Sequence, residues 1–174
     1  MRTDIWLAAF AMAFCFIWPF TPVSAETVRG QVRVIDGDTF RFESGLKVRI
    51  FGIDTLEKNQ KCEVGGACVP CGQQSKDAAI KIIGTSEVVC ELRGEKTYDR
   101  EVASCTVDGK DFAASMIASG WALVYRRYLP KKGEGHEYVA AEDRAKKDAV
   151  GLWSMRFVPP SEWRNRKARL ECER

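Results

Sequence analysis

Four short stretches concentrate charged side chains at spacings suited to handling a phosphate. In Asp36-Gly37-Asp38-Thr39, one carboxylate can hold a turn while the other points elsewhere, although turn formation alone also accounts for an Asp-Gly pair. In the run from Val48 to Glu57, Val48 and Ile50 facing a core would turn Arg49 to the opposite side, and the strand would end by releasing Asp54 and Glu57. A hard divalent cation takes oxygen ligands, so Asp38, Asp54 and a backbone carbonyl such as that of Thr55 are a candidate, partly hydrated site, with Glu57 left to orient a water. The plain alternative is a solvated strand end with surface ion pairs, which contribute little. Between Glu95 and Glu101, Arg100 offers a second guanidinium, a planar fork that grips phosphate and stabilises charge building on its oxygens. In Val124-Tyr125-Arg126-Arg127-Tyr128, aromatics and arginines interleave as they would to stack a base and hold a phosphate, with Arg126 and Tyr128 as candidates; a core edge would use the same aromatics.

These groups need a frame. Residues 28–51 predict three strands, in which Val32 and Val34, Phe40 and Phe42, and Val48 and Ile50 alternate with polar residues, with turns at Asp36-Gly37 and Ser44-Gly45. Residues 57–71 form a polar, cysteine-bearing loop, and residues 73–83 a helix with Ala79, Ile80 and Ile83 on one face and Gly84 as its stop. Strands over 88–92 and 102–107, joined by the charged residues 93–100, make a hairpin candidate. Helices follow over 111–119 and 138–149, the second ended by Gly151. Five strands with three helices placed late favour an α+β domain built on a small closed or partly open barrel. A parallel α/β sheet would need helices between the early strands, and none is present.

Composition sets the outer bounds. The chain has 174 residues, 45% hydrophobic, 10% aromatic and 29% charged, proportions of one soluble domain that exclude disorder and a polytopic membrane protein. The net charge of +3, from 27 basic and 24 acidic residues, is too mild to draw a polyanion by bulk attraction, so such a partner needs local evidence. From Ile5 to Phe20 the chain carries no charge, and the small residues Val23 and Ala25 then suit a signal peptidase. Residues 1–25 are therefore expected to be a cleaved signal peptide, leaving a single domain over 26–174 in a secreted or periplasmic setting. An uncleaved anchor is the alternative, though Pro19 interrupts the run. Six cysteines follow the leader, and an oxidising compartment makes disulfides the leading expectation. The rival for Cys68-Val69-Pro70-Cys71 with Cys62 is zinc, which lacks a nearby fourth ligand because His136 is the single histidine; a redox-active motif lacks the strand that should precede it.

The ordered set IDGDT, VRIFGIDTLE, YDR, GWALVYRRY, a Glu-x-x-Ala helix leading to GLW, and a closing EWR resembles the secreted thermonuclease family, whose best-known member is staphylococcal nuclease. The match runs from about Val28 to Arg164. The resemblance implies a five-stranded OB-fold barrel with about three packed helices and calcium-dependent hydrolysis of phosphodiester bonds in DNA and RNA. It puts Asp38 and Asp54 at calcium carboxylates, with Thr55 giving its backbone carbonyl. Glu57 falls at the water-orienting or general-base position, Arg49 and Arg100 at the two phosphate-binding arginines, and Tyr98 and Tyr128 at nucleotide-contacting tyrosines. Nucleic acids are the only partners implied, with a monomer and no membrane attachment after leader cleavage.

Two departures stand out. Leu56 replaces the proline common between Asp-Thr and Glu, freeing the backbone that aims Glu57, and Asp99 replaces a glycine, adding negative charge beside Arg100. These support a second reading, a catalytically weak nucleic-acid-binding OB-fold module; a disulfide-rich structural protein is a third, which the complete Arg, Glu and Arg set disfavours. Cys90 and Cys105 lie on the two arms of the candidate hairpin, so a bridge between them is expected, with one bond within Cys62, Cys68 and Cys71 and the third reaching Cys172.

Overall fold

Apolar residues at every second position give the early chain strands with one buried face. The computed structural model describes residues 26–129, 133, 135–166 and 168–173; the expected leader lies outside the described residues. Strands β1 (Thr27–Gly30), β2 (Val32–Asp36), β3 (Thr39–Phe42), β4 (Lys47–Ile50) and the short β5 (Ile53–Asp54) come first. The cysteine loop holds a small hairpin, β6 (Cys62–Val64) and β7 (Ala67–Val69), and leads into α1 (Cys71–Ile83). Next come the long strands β8 (Val88–Thr97) and β9 (Arg100–Val107), then β10 (Lys110–Asp111), α2 (Phe112–Ala118) and β11 (Leu123–Val124). Helices α3 (His136–Lys147) and α4 (Pro160–Arg164) close the chain, with 3₁₀ turns at Gly151–Ser154 and Glu171–Glu173.

The main sheet runs β1-β8-β9-β4-β3-β2, with β10 attached to β9. Only Gln31 separates β1 from β2, so one bent strand stands at both ends of the order and the sheet curls back upon itself. Counted as one, its halves give the five strands of the expected barrel, with neighbours antiparallel except for the parallel pair β4 and β9. This is the α+β OB-fold, and its curling leaves little free edge. Val34, Phe40, Phe42, Val48 and Ile50 point inward with Ala103 and Cys105, and α1 and α2 add Ala79, Ile83, Phe112 and Met116 to that interior. Phe40 and Phe112 meet edge to face at 4.8 Å. Each such side chain stabilises the fold by about 1.5–3 kcal/mol, far above an exposed ion pair, so the charges outside the barrel are not what holds it together.

Two differences from the sequence expectation, and one expectation met, bear on the site. The charged segment over 93–100 is not a linker: Lys96 pairs with Glu101 and Thr97 with Arg100 across the hairpin, leaving Tyr98 and Asp99 as its turn. Tyr98 sits there at φ 59°, a left-handed conformation normally favouring glycine or asparagine. The cysteines pair as expected and staple the loop: Cys62 bonds Cys71, Cys68 bonds Cys172 and Cys90 bonds Cys105. All six cysteines among the described residues are thus committed, which removes the zinc and redox readings of Cys68 and Cys71. Finally, α4 was not anticipated as a helix. Among the described residues no helix is long and apolar enough to cross a membrane.

Candidate active site

The site begins at the β2–β3 turn. A register irregularity between Val34 and Asp36 reshapes the strand end, and the backbone N–H of Asp38 donates to Asp36 Oδ1 at 3.2 Å, so Asp36 is the carboxylate that holds the turn. Asp38 is buried, and its carboxylate accepts from Thr39 Oγ1 at 3.1 Å, Arg49 Nη1 at 3.0 Å and the Thr55 backbone N–H at 3.1 Å. Arg49 leaves β4 on the face opposite Val48 and Ile50, and its other fork atom, Nη2, donates to Asp54 Oδ1 at 3.1 Å. Asp54 reaches that place because β5 pairs with β11, setting it across from Leu123. Arg100 comes from the start of β9, where its Nη1 donates to Thr39 Oγ1 at 3.0 Å. The guanidiniums of Arg49 and Arg100 are therefore joined by two intervening residues, Asp38 and Thr39.

Glu57 is aimed by packing. Leu56 is 1% exposed and shares a small apolar cluster with Cys62, Cys71 and Leu152, so a buried side chain anchors the backbone that a proline would otherwise stiffen. The Glu57 carbonyl accepts from the Gln60 N–H at 2.8 Å, and the Glu57 N–H donates to Gln60 Oε1 at 3.2 Å. Gly72 closes against the same carbonyl so tightly that a Cβ there would fall 1.8 Å from the oxygen. Asp99, a second departure, forms an ion pair with Lys47, whose hydrogen bond holds the Asp99 carboxyl below the usual carboxylate range. Its charge is thereby drawn toward Lys47.

These groups face one cleft of about 510 Å³, lined by Asp36, Asp38, Arg49, Thr55, Glu57 and Arg100 together with Tyr98, Tyr125, Tyr128 and Arg164. Burial, reinforced by the charge of Asp38, pushes Asp36 up to about 7, so at neutral pH this pair of carboxyls carries less than its full negative charge. Burial opposes the charge on Arg49, but Asp38 and Asp54 outweigh it and hold the guanidinium above its ordinary value. Tyr98 is 92% exposed and Tyr128 is also exposed; Tyr128 leans on Tyr125 at 4.9 Å between ring centres, and Tyr125 lies 5.8 Å beneath Arg49.

Arg126 does not join them. Its Nη2 donates to Glu142 Oε2 at 2.6 Å, and that carboxylate, 1% exposed, also accepts from Lys146 Nζ at 2.7 Å and the Val124 N–H at 2.9 Å. Burial raises the Glu142 carboxyl, but these donors outweigh it and leave it below its ordinary value. Arg126 thus serves to seat β11, the partner of the Asp54 strand. Three cleft residues were not assigned a role from the sequence: Asp36 beyond its turn, Tyr125, and Arg164. Arg164 stood within the EWR motif, but nothing local linked it to residues more than a hundred positions earlier.

Arg164 Nη2 and Nη1 donate to the two Asp54 oxygens at 2.9 and 3.0 Å, and Nη1 also donates to Glu57 Oε1 at 3.0 Å. Burial opposes its charge, yet its bonds to Asp54 and Glu57 raise it above its ordinary value. Outside the cleft, the register sets Arg33 opposite Arg41 and Arg41 opposite Lys47, all on the outer face of the barrel.

Residues 47–155 match the family model described as staphylococcal nuclease homologue. The chain belongs to that family. It is 35% identical over 133 residues to succinoglycan biosynthesis protein ExoI of Rhizobium meliloti (strain 1021), covering 75% of this chain and 66% of that one. It is 29% identical over 129 residues to endonuclease YncB of Bacillus subtilis (strain 168), covering 70% of this chain and 59% of that one. The chain thus spans less than two thirds of either relative's length.

Proposed function

We propose that this protein is an exported, calcium-dependent nuclease that hydrolyses phosphodiester bonds in DNA and RNA. The observation that carries the proposal is the convergence of Asp38, Arg49, Glu57 and Arg100 on one cleft, with Asp54 bonded to Arg49 beside it. A phosphodiester is anionic and repels hydroxide, so its hydrolysis needs positive charge around phosphorus and a water directed opposite the leaving oxygen. Arg49 and Arg100, bridged through Asp38 and Thr39, are suited to hold two oxygens of one phosphate, and Glu57 to orient the water and take its proton.

The residue types suit calcium: Asp38, Asp54 and the Thr55 carbonyl offer hard oxygen ligands, and the two buried carboxylates are brought together by their shared partner Arg49. Bound there, calcium would supply positive charge to the phosphate. The opposed Arg33 and Arg41 are the local evidence that the mild net charge lacked: like charges set opposite one another cost stability, and a polyanion relieves that cost. Tyr98 and Tyr128 offer exposed ring faces on which bases could stack. The family membership and an endonuclease relative favour the enzyme over a purely binding module, and three disulfides fit export.

The test is cleavage of single-stranded DNA and RNA by the mature protein, with calcium or chelator, beside Glu57→Ala and Arg100→Ala. Calcium-dependent cutting is expected, reduced about a hundredfold or more by either substitution. Tight binding without cutting would establish the binding module in its place.

A further inference from the structure

We infer that Arg164 is a positioning residue of this site, which aims the Glu57 carboxylate and competes with a divalent cation for Asp54, and that the stapled loop keeps it there. The first half of this inference rests on the nuclease reading; the second does not. Arg164 belongs to α4, and the segment around α4 is fastened to the loop after Glu57 in three ways. The buried Gln60 donates from Nε2 to the Val158 carbonyl at 2.6 Å. Glu63 and Arg156 exchange backbone hydrogen bonds at 2.8 and 3.0 Å and add a side-chain ion pair at 3.0 Å. The disulfide between Cys68 and Cys172 closes the clamp. One loop therefore carries the proposed base at its start and the late segment along its side, so the base and the arginine are held in common register.

The contacts suit positioning better than surface pairing. Asp54 has only 5% of its side chain exposed, and Arg164 grips it with two fork atoms, a geometry a mobile surface pair does not keep. The third bond ties Glu57 Oε1 to the same guanidinium, fixing a carboxylate that is itself 36% exposed and otherwise free to rotate into water. Asp54 Oδ1 accepts from Arg49 and Arg164 together, and Oδ2 from Arg164. A cation seeking an oxygen of Asp54 must share it with, or displace, a resident positive charge.

The experiment compares wild type with Arg164→Ala and Arg164→Lys, each checked by thermal unfolding. Terbium luminescence and calcium titration without nucleic acid give the cation affinity; steady-state cleavage gives kcat and KM separately. Arg164→Ala should bind the cation about tenfold more tightly, because the competing charge is gone. It should also lose about a hundredfold in kcat with KM little changed, because the carboxylate is no longer held. Arg164→Lys, which keeps the charge but not the fork, should leave cation affinity near wild type and recover only part of kcat. Unchanged or weaker cation affinity in Arg164→Ala, or an undiminished kcat, overturns the inference. Should wild type and Glu57→Ala prove equally inactive, the nuclease reading fails, and the cation titration, which needs no turnover, still decides the competition at Asp54.

Discussion

Gly72→Ala should separate the aiming of Glu57 from the stability of the fold. Gly72 is the second residue of α1, and its backbone needs no special conformation; what it lacks is room. An added Cβ would lie 1.8 Å from the Glu57 carbonyl oxygen, where ordinary contact begins at 3.4 Å, so the two must part by about 1.6 Å. The helix start is pinned by the bond from Cys71 to Cys62, so much of that movement falls on the Glu57 segment. A displacement of about 1 Å at a reacting group costs on the order of a hundredfold in rate, so a loss of at least that size in kcat is expected. Met116→Ala is the control: it opens a cavity in the barrel interior, at a cost of about 2–5 kcal/mol, outside the cluster that anchors Leu56 and Glu57. The assay is initial-rate cleavage of single-stranded DNA with saturating calcium, beside denaturant unfolding of both variants. Comparable stability losses with activity lost only in Gly72→Ala are expected. If Gly72→Ala cuts at the wild-type rate, the aim of Glu57 does not depend on this contact and the reasoning fails.

Other outcomes follow from the remaining contacts. The Glu142 carboxyl is held below its ordinary 4.5, so its stabilisation is complete above about pH 4.5 and is lost as pH falls through the lower folded value. The unfolding free energy of Glu142→Gln should therefore lie below wild type at pH 7, by about 1.5–3 kcal/mol for the lost charge-assisted hydrogen bonds, and the two should converge on acidification; parallel curves would reject this. Replacing Cys90 and Cys105 by serine opens a loop of 15 residues and should cost about 3 kcal/mol in stability, read by thermal unfolding. Arg41→Ala should lower the slope of log affinity against log salt for a long single strand by about 0.7, one phosphate's share, while leaving cleavage of a dinucleotide unchanged.

What could be read from the residues was whatever depended on near neighbours. The alternation in β2, β3 and β4 follows from a period of two, and the placing of Arg49 opposite Val48 and Ile50 follows from the same rule. The bridge from Cys90 to Cys105 was legible because both lie on one hairpin. Arg126 was singled out for its place among tyrosines, and its partner was not legible there: the buried Glu142 carboxylate lies sixteen residues on. Leu56 and Asp99 looked like weaknesses because their compensations lie elsewhere, in the cluster around Leu152 and in Lys47. Arg164 was hidden by distance along the chain: its partners are 107 and 110 residues away, and only the folded loop brings them together.

The bent first strand has a consequence for how the molecule comes into being. Thr27 finds its pairing partner at Glu91, while among the described residues β2 pairs with β3 alone, so one half of the bent strand waits for more than sixty further residues of synthesis before it is satisfied. Barrel completion is therefore a late event dominated by distant pairings, which slows folding and prolongs the exposure of Val28, Val32 and Val34.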